Sequence, residues 1–291
     1  MQNNRPLQVG IVFSGGMAKG SYEIGVMKAF QKQKSLQVAG ISAASIGTLN
    51  AYAWLCEKLL DAEQIWQNIY AETKGKTYRT LIKNRGIYNY IDVICKEADV
   101  LPIPLYTVCT PFNRFHPCYV LLNELDYEKR KKFLKASITM FPVMPAYRIG
   151  SNSYYDGAII DNTPITPLST YELDCVVVVQ FDHDQSSEWI QQFSCPLFFL
   201  NPQREHQWKD SFCLETAAIT EMIACGFAAG EHLFSMLASQ GVKKEDLQVL
   251  AKQYNLKPSK EDFSGDHVIR KLNWLYQRKH KKIKPDCSCH L

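Results

Sequence analysis

Read from its N-terminus, the chain alternates apolar and polar positions in short β-rich runs that give way to helical spacing. Leu7 to Phe13 predicts a first strand. It runs into Ser14-Gly15-Gly16-Met17-Ala18-Lys19-Gly20, after which Ile24, Met27, Ala29 and Phe30 recur at helical spacing within a helix over Ser21 to Gln33. Val38 to Ala43 predicts a second strand. Ser45 follows at once, then a helix over Ile46 to Leu60 with Leu49, Ala53, Leu55 and Leu59 on its apolar side. Two strand-to-helix turns so early point to a parallel α/β sheet.

Asp61 to Thr73 reads as another helix, and Tyr88 to Glu97 as a further one after a stretch with little pattern. Leu105 to Thr110 and Tyr119 to Leu122 are strands, and Tyr127 to Ser137 is a helix with a basic start. Pro142 and Pro145 break the chain. Ala146 to Ile149 and Ser153 to Tyr155 then form a hairpin around Gly150-Ser151-Asn152. Asp174 to Phe181 holds four consecutive valines, the mark of a strand buried on both faces, and Pro196 to Leu200 repeats that character. Leu214 to Leu237 is a long helix expected in the core, and a helical finish is expected within Lys243 to Leu291.

The 291 residues are 46% hydrophobic and 21% charged, enough for a sizeable core. A net charge of +4 is too mild to argue for nucleic acid, and no nucleic-acid partner is expected. The charge is uneven: Arg278 to Lys284 carries five basic residues. That segment reads as a solvated tail, with peripheral contact to an anionic membrane as the functional alternative. Most of the ten cysteines sit in apolar contexts and read as reduced, buried thiols; Cys287-Ser288-Cys289-His290 lacks a second ligand pair for a metal. No signal-peptide pattern opens the chain, and no 18-residue apolar run suggests a transmembrane helix, so a cytoplasmic location is expected.

Three segments carry candidate chemistry. Ala43-Ala44-Ser45-Ile46-Gly47 is close to a G-x-S-x-G nucleophile elbow, whose sharp turn needs small residues two before and two after the serine. It would lift Ser45 to a helix N-terminus, where a developing anion is favoured. An ordinary serine N-cap is the competing reading. Gly15 to Gly20 fails as a phosphate loop because Lys19 precedes Gly20, and fails as a dinucleotide fingerprint because Met17 stands where the second glycine is needed. It suits an oxyanion hole, in which one amide donor is worth on the order of 3 kcal/mol; a plain tight turn is the alternative. Asp156-Gly157 offers a carboxylate beside a residue that permits close approach, against the reading of an Asp-Gly turn.

Together these segments resemble the patatin-like phospholipase family, which has a G-G-G-x-[RK]-G loop, a G-x-S-x-G elbow and a downstream D-G-[GA] segment. Met17 replaces the third glycine of the loop and Ala43 the first glycine of the elbow, while Asp156-Gly157-Ala158 matches without change. Thr48-Leu49-Asn50-Ala51, Ala136-Ser137-Ile138 and Asp161-Asn162-Thr163-Pro164-Ile165 are similar to the family's flanking text. The resemblance spans roughly Leu7 to Pro167. It implies a three-layer α/β/α sandwich with a mainly parallel central sheet, with a catalytic domain over 5–240 and a C-terminal helical extension, 241–291, packed on it. It also implies a serine acyl hydrolase that cleaves lipid esters through an acyl-enzyme, without metal or cofactor. Ser45 would be the nucleophile and Asp156 its base. Amides of Gly15, Gly16 and Met17 would hold the oxyanion, and Lys19, Gly20, Ala43, Gly47 and Gly157 would support the motifs. Some relatives need a protein activator.

Rival readings are a Ser-Asp-His esterase using His183, His206, His232 or His267, and an inert or activator-dependent lipid-binding protein. The aromatic stretch with Tyr88, Tyr90, Tyr106, Phe112 and Phe115 reads as ordinary packing, with an acyl channel or lid as the alternative.

Overall fold

The computed structural model describes residues 5–72, 87–114, 116–181, 193–202, 211–239 and 243–255. Eight strands form one sheet: β1 (Leu7–Phe13), β2 (Leu36–Ala44), β3 (Leu105–Pro111), β4 (Cys118–Leu121), β5 (Tyr147–Ile149), β6 (Asn152–Asp156), β7 (Cys175–Val179) and β8 (Leu197–Leu200). Their order is β5-β6-β3-β2-β1-β7-β8, with β4 paired to β3. β3, β2, β1, β7 and β8 are mutually parallel, while β4 and β6 run antiparallel to β3 and β5 antiparallel to β6. The sheet is therefore mixed and mainly parallel, as expected.

Seven α-helices are described: α1 (Ser21–Phe30), α2 (Ile46–Leu55), α3 (Leu59–Glu72), α4 (Ile87–Ile94), α5 (Tyr127–Ser137), α6 (Thr216–Ser239) and α7 (Lys244–Asn255). The valine run explains the centre of the sheet. Val177 and Val179 enter the main core with the helices, whereas Val176 and Val178 enter a smaller cluster with Val12, Ile165, Leu168 and Phe199. The layers are unequal. Among the described residues the helices gather over the main core, and the second face is covered by the segment from Ile165 through a 3-10 turn to Leu173, with Phe193 and Cys195.

α6 crosses α1 in backbone contact. A methyl on Gly226 would lie 1.9 Å from the Tyr22 carbonyl oxygen, and one on Gly25 would lie 2.0 Å from that of Ile223. Its buried positions Ile219, Met222, Ile223, Gly226, Gly230, Leu233, Phe234 and Leu237 fall on one helical stripe, so the helix is amphipathic and packs on the core as expected.

The single helix expected over Ile46 to Leu60 is two. Glu57 adopts a left-handed conformation (φ 60°), and the Lys58 amide turns back to the Ala53 carbonyl at 2.7 Å, which closes α2 before α3 starts. Lys58 then anchors the corner through its ammonium, donating to the Ile94 carbonyl at 2.9 Å and to Asp99 at 2.5 Å. Among the described residues seven cysteines are free thiols, four of them buried, in line with the reading of most cysteines as reduced; Cys118 on β4 is disulfide-bonded. Phe115, His183, His206, His267, the basic run 278–284, Cys287, Cys289 and His290 lie outside the described residues, as does the expected helical finish beyond Asn255.

Candidate active site

The parallel strands deliver their C-terminal ends to one edge of the sheet, so the segments after Phe13, Ala44, Pro111 and Val179 leave from the same side. The candidate residues lie there. Ala43 is fully buried and stands between Phe13 of β1 and Thr107 of β3, where its methyl is accommodated in the sheet. Two residues on, Ser45 takes φ 54° and ψ −130° before α2 begins. Such a conformation is costly for a residue with a side chain, and it projects the hydroxyl out of the strand-helix turn. The half-buried Ser45 accepts no capping bond through its side chain, which disposes of the simple N-cap reading. Gly47 is needed for space: a methyl there would meet the Phe13 side chain at 2.9 Å and the Glu23 carboxyl at 3.1 Å.

The Ser45 hydroxyl donates to Asp156 Oδ2 at 2.5 Å, across 111 residues of sequence. Asp156 ends β6 and pairs with Cys109 of β3. Its other oxygen, Oδ1, accepts from the Ala158 amide at 2.9 Å. Gly157 lets this turn lie on β3, since a methyl would fall 2.5 Å from the Val108 carbonyl. Burial pushes the Asp156 carboxyl up to about 7, against the two hydrogen bonds that favour its ionised form. No imidazole intervenes between the hydroxyl and the carboxylate. Of the candidate histidines, His232 is exposed on α6 beside Tyr254.

Gly15 fits between the two side-chain segments; a methyl would sit 2.9 Å from Ser45 Cβ and 2.7 Å from the Asn162 side-chain oxygen. Its amide donates to the Asn162 carbonyl at 3.3 Å. The loop is thus tied to the segment after Asp156, and Gly15 is not an open donor. Among the described residues the amides of Gly16 and Met17 have no hydrogen-bond partner. Met17 takes a positive φ of 53°, a left-handed kink at the position where the resemblance calls for glycine. It opens a 3-10 turn over Met17–Gly20 that leads into α1.

Two features escaped the sequence reading. Phe181, just past β7, lies on the loop: a methyl on Gly16 would be 2.3 Å from its ring. The ring also makes an edge contact with Tyr22 and lies 5.7 Å from the ammonium of the buried Lys19. The second is a buried polar cluster behind the elbow. Asn50 on α2 donates to the Gly20 carbonyl at 2.9 Å and to Glu23 at 2.8 Å, and accepts from Trp66 at 3.1 Å and Tyr90 at 3.0 Å. One side chain thereby fastens the end of the glycine loop to the helix that follows Ser45. Glu23 is fully buried, and burial raises its carboxyl well above the usual carboxylate range, which favours its neutral form. A helical Glu normally reads as a solvated residue; its setting beside Gly20 and Ser21 in the loop was the available signal.

A family model described as "Patatin-like phospholipase" matches residues 11–169, just over half of the chain. The chain belongs to the patatin-like phospholipase family. The patatin-like match takes in the loop, the elbow and the Asp156 segment. Similar curated proteins include the lysophospholipase NTE1 of Cryptococcus neoformans, 26% identical over an alignment 188 positions long that covers 59% of this chain and 11% of that protein. They also include an uncharacterized NTE family protein of Mycobacterium tuberculosis, 20% identical over 75% of this chain and 59% of that one. The chain therefore spans about a tenth of the first of these relatives and under two thirds of the second. Among solved structures it is similar to VipD from Legionella pneumophila, with a TM-score of 0.45, 12% identity, 79% of this chain and 67% of that chain. It is also similar to ExoU in its complex with SpcU from Pseudomonas aeruginosa, with a TM-score of 0.42, 12% identity, 95% of this chain and 59% of that chain.

Proposed function

We propose that the chain is a serine acyl hydrolase acting on lipid esters through a Ser45–Asp156 dyad. The observation that carries this reading is the direct hydrogen bond from the Ser45 hydroxyl to Asp156 Oδ2, at 2.5 Å. Asp156, as carboxylate, takes the hydroxyl proton while Ser45 Oγ attacks the ester carbonyl carbon. The carbonyl electrons move onto the oxygen, which the amides of Gly16 and Met17 hold. Collapse expels the alcohol with the proton from Asp156 and leaves an acyl group on Ser45. Water attacks in the same way, assisted by Asp156, and releases the fatty acid. Lys19 acts on the loop's shape rather than on the substrate, since its ammonium rests by Phe181.

Membership of the patatin-like phospholipase family supports a lipid as substrate, and short-chain esters are expected to serve as soluble surrogates. A cytoplasmic protein that visits a membrane is in keeping with this reading, and a protein activator remains part of it. The test is a lipid panel and a fluorophosphonate probe applied to the wild type, Ser45→Ala and Asp156→Asn, with and without cell lysate. Labelling of wild-type Ser45, and turnover lost in both variants, is the expected result. A Ser45→Ala protein that still cleaves ester refutes the mechanism, and loss of all activity on replacing one histidine favours the triad.

A further inference from the structure

Most large apolar side chains left in solvent are scattered over separate elements, such as Leu60 on α3, Val100 before β3 and Val249 on α7. Three are gathered at one place. Phe112 (52% exposed), Phe141 (37%) and Val143 (45%) belong to the two segments that flank Tyr155. The Phe112 ring lies 6.0 Å from that of Tyr155, and the Phe141 ring 5.2 Å. Tyr155 is itself buried and immediately precedes Asp156, so the patch adjoins the dyad.

Topology places it on the rim. Phe112 follows the C-terminal end of β3, which is parallel to β2, and β2 ends at the Ser45 elbow. The Phe112 amide bonds to the Ser153 carbonyl at 2.8 Å, and Ser153 pairs with Arg148 on β5. Arg148 and Arg114 are both exposed beside these aromatic residues, and neither makes an ion pair among the described residues. From Pro111 to Pro117 and from Met140 to Tyr155 the sequence has no acidic residue. Exposed aromatics flanked by unpaired arginines, with no carboxylate among them, match the boundary between acyl chains and anionic headgroups.

We infer that Phe112, Phe141 and Val143, with Arg114 and Arg148, form the surface by which this protein docks on an anionic lipid bilayer with its dyad facing the membrane. The inference rests on the lipid-hydrolase reading for its purpose, but binding can be measured apart from turnover. The full-length protein carrying Ser45→Ala is sedimented with phosphatidylcholine vesicles, with and without phosphatidylserine. The same surface substitutions are also made on active protein and assayed on a soluble short-chain ester.

Phe112→Ser/Phe141→Ser/Val143→Ser is expected to weaken binding to both vesicles by roughly one to two orders of magnitude, with the soluble-ester rate unchanged. Arg114→Gln/Arg148→Gln is expected to lose the preference for phosphatidylserine, roughly fivefold per arginine. Phe112→Glu alone, at the most exposed of the three positions, should release the protein if the triple variant folds poorly. Wild-type-like binding by the triple variant and Phe112→Glu overturns the inference. So does a parent protein that binds neither vesicle, or binding that vanishes only when the basic residues of 278–284 are replaced. Failure of the hydrolase reading appears separately, as an inert soluble-ester assay.

Discussion

Replacing Asp156 by Asn separates the chemistry of the dyad from the cost of maintaining it. In the wild type Oδ1 accepts the Ala158 amide and Oδ2 accepts the Ser45 hydroxyl. Asparagine keeps an acceptor for Ala158 and presents an amide donor to Ser45, so both contacts survive with the second reversed. The hydroxyl then has no base, and turnover should fall by at least 100-fold, the usual scale for a positioned base. Stability should move the other way. Burial raises the folded-state carboxyl from its ordinary value near 4 to about 7. Between those values the folded state binds more protons than the unfolded state, so wild-type stability declines as pH rises from about 4 to 7. Three pH units correspond to about 4 kcal/mol at most. Asp156→Asn carries no such charge. It should therefore exceed the wild type by up to that amount at pH 8, with the advantage shrinking toward pH 4. Urea unfolding at several pH values measures the difference. A gap independent of pH, or a variant less stable than wild type at pH 8, would refute the reasoning.

The same carboxyl predicts the acid limb of the rate profile. As the proposed base acts only when ionised, kcat/KM on a soluble ester should be level above about pH 7 and fall about tenfold per unit below it; a profile flat down to pH 5 contradicts this. Glu23→Gln should change stability at neutral pH by less than about 1 kcal/mol, because burial already favours the neutral form of Glu23 and glutamine still offers Asn50 a carbonyl. A much larger loss in chemical denaturation would mean that the carboxyl is ionised. Gly226→Ala should cost about 3 kcal/mol by overpacking against Tyr22, read as a lowered Tm with the family motifs intact; an unchanged Tm would mean the helices are free to separate.

Much of the sheet was legible because its strands carry their own signals. Four valines mark β7, and turn residues bracket the β5–β6 hairpin. The loop, elbow and Asp156 segment were legible as motifs because each needs small residues at fixed spacing. What was hidden depends on contacts remote in sequence. Apolar periodicity runs on from Leu55 to Leu59, so the left-handed Glu57 that divides α2 from α3 leaves no trace in it. The engagement of the Gly15 amide requires Asn162 to fold back across the sheet. Glu23 and Asn50 each look like polar positions on a helix; only the convergence of α1, α2, α3 and α4 buries them together. Phe181 is one more aromatic until the strand end that carries it is placed beside Gly16.

The crossing of α1 and α6 has a consequence for where the folded unit ends. The helix that issues from the glycine loop lies main chain to main chain against a helix from residues 216–239, well past position 169, where the family match stops. A fragment trimmed to the matched stretch would retain every motif, yet it would lack the surface on which the loop's own helix rests, along with two strands of the sheet. The smallest fragment able to keep this fold is therefore set by that distant support and not by the limits of the signature.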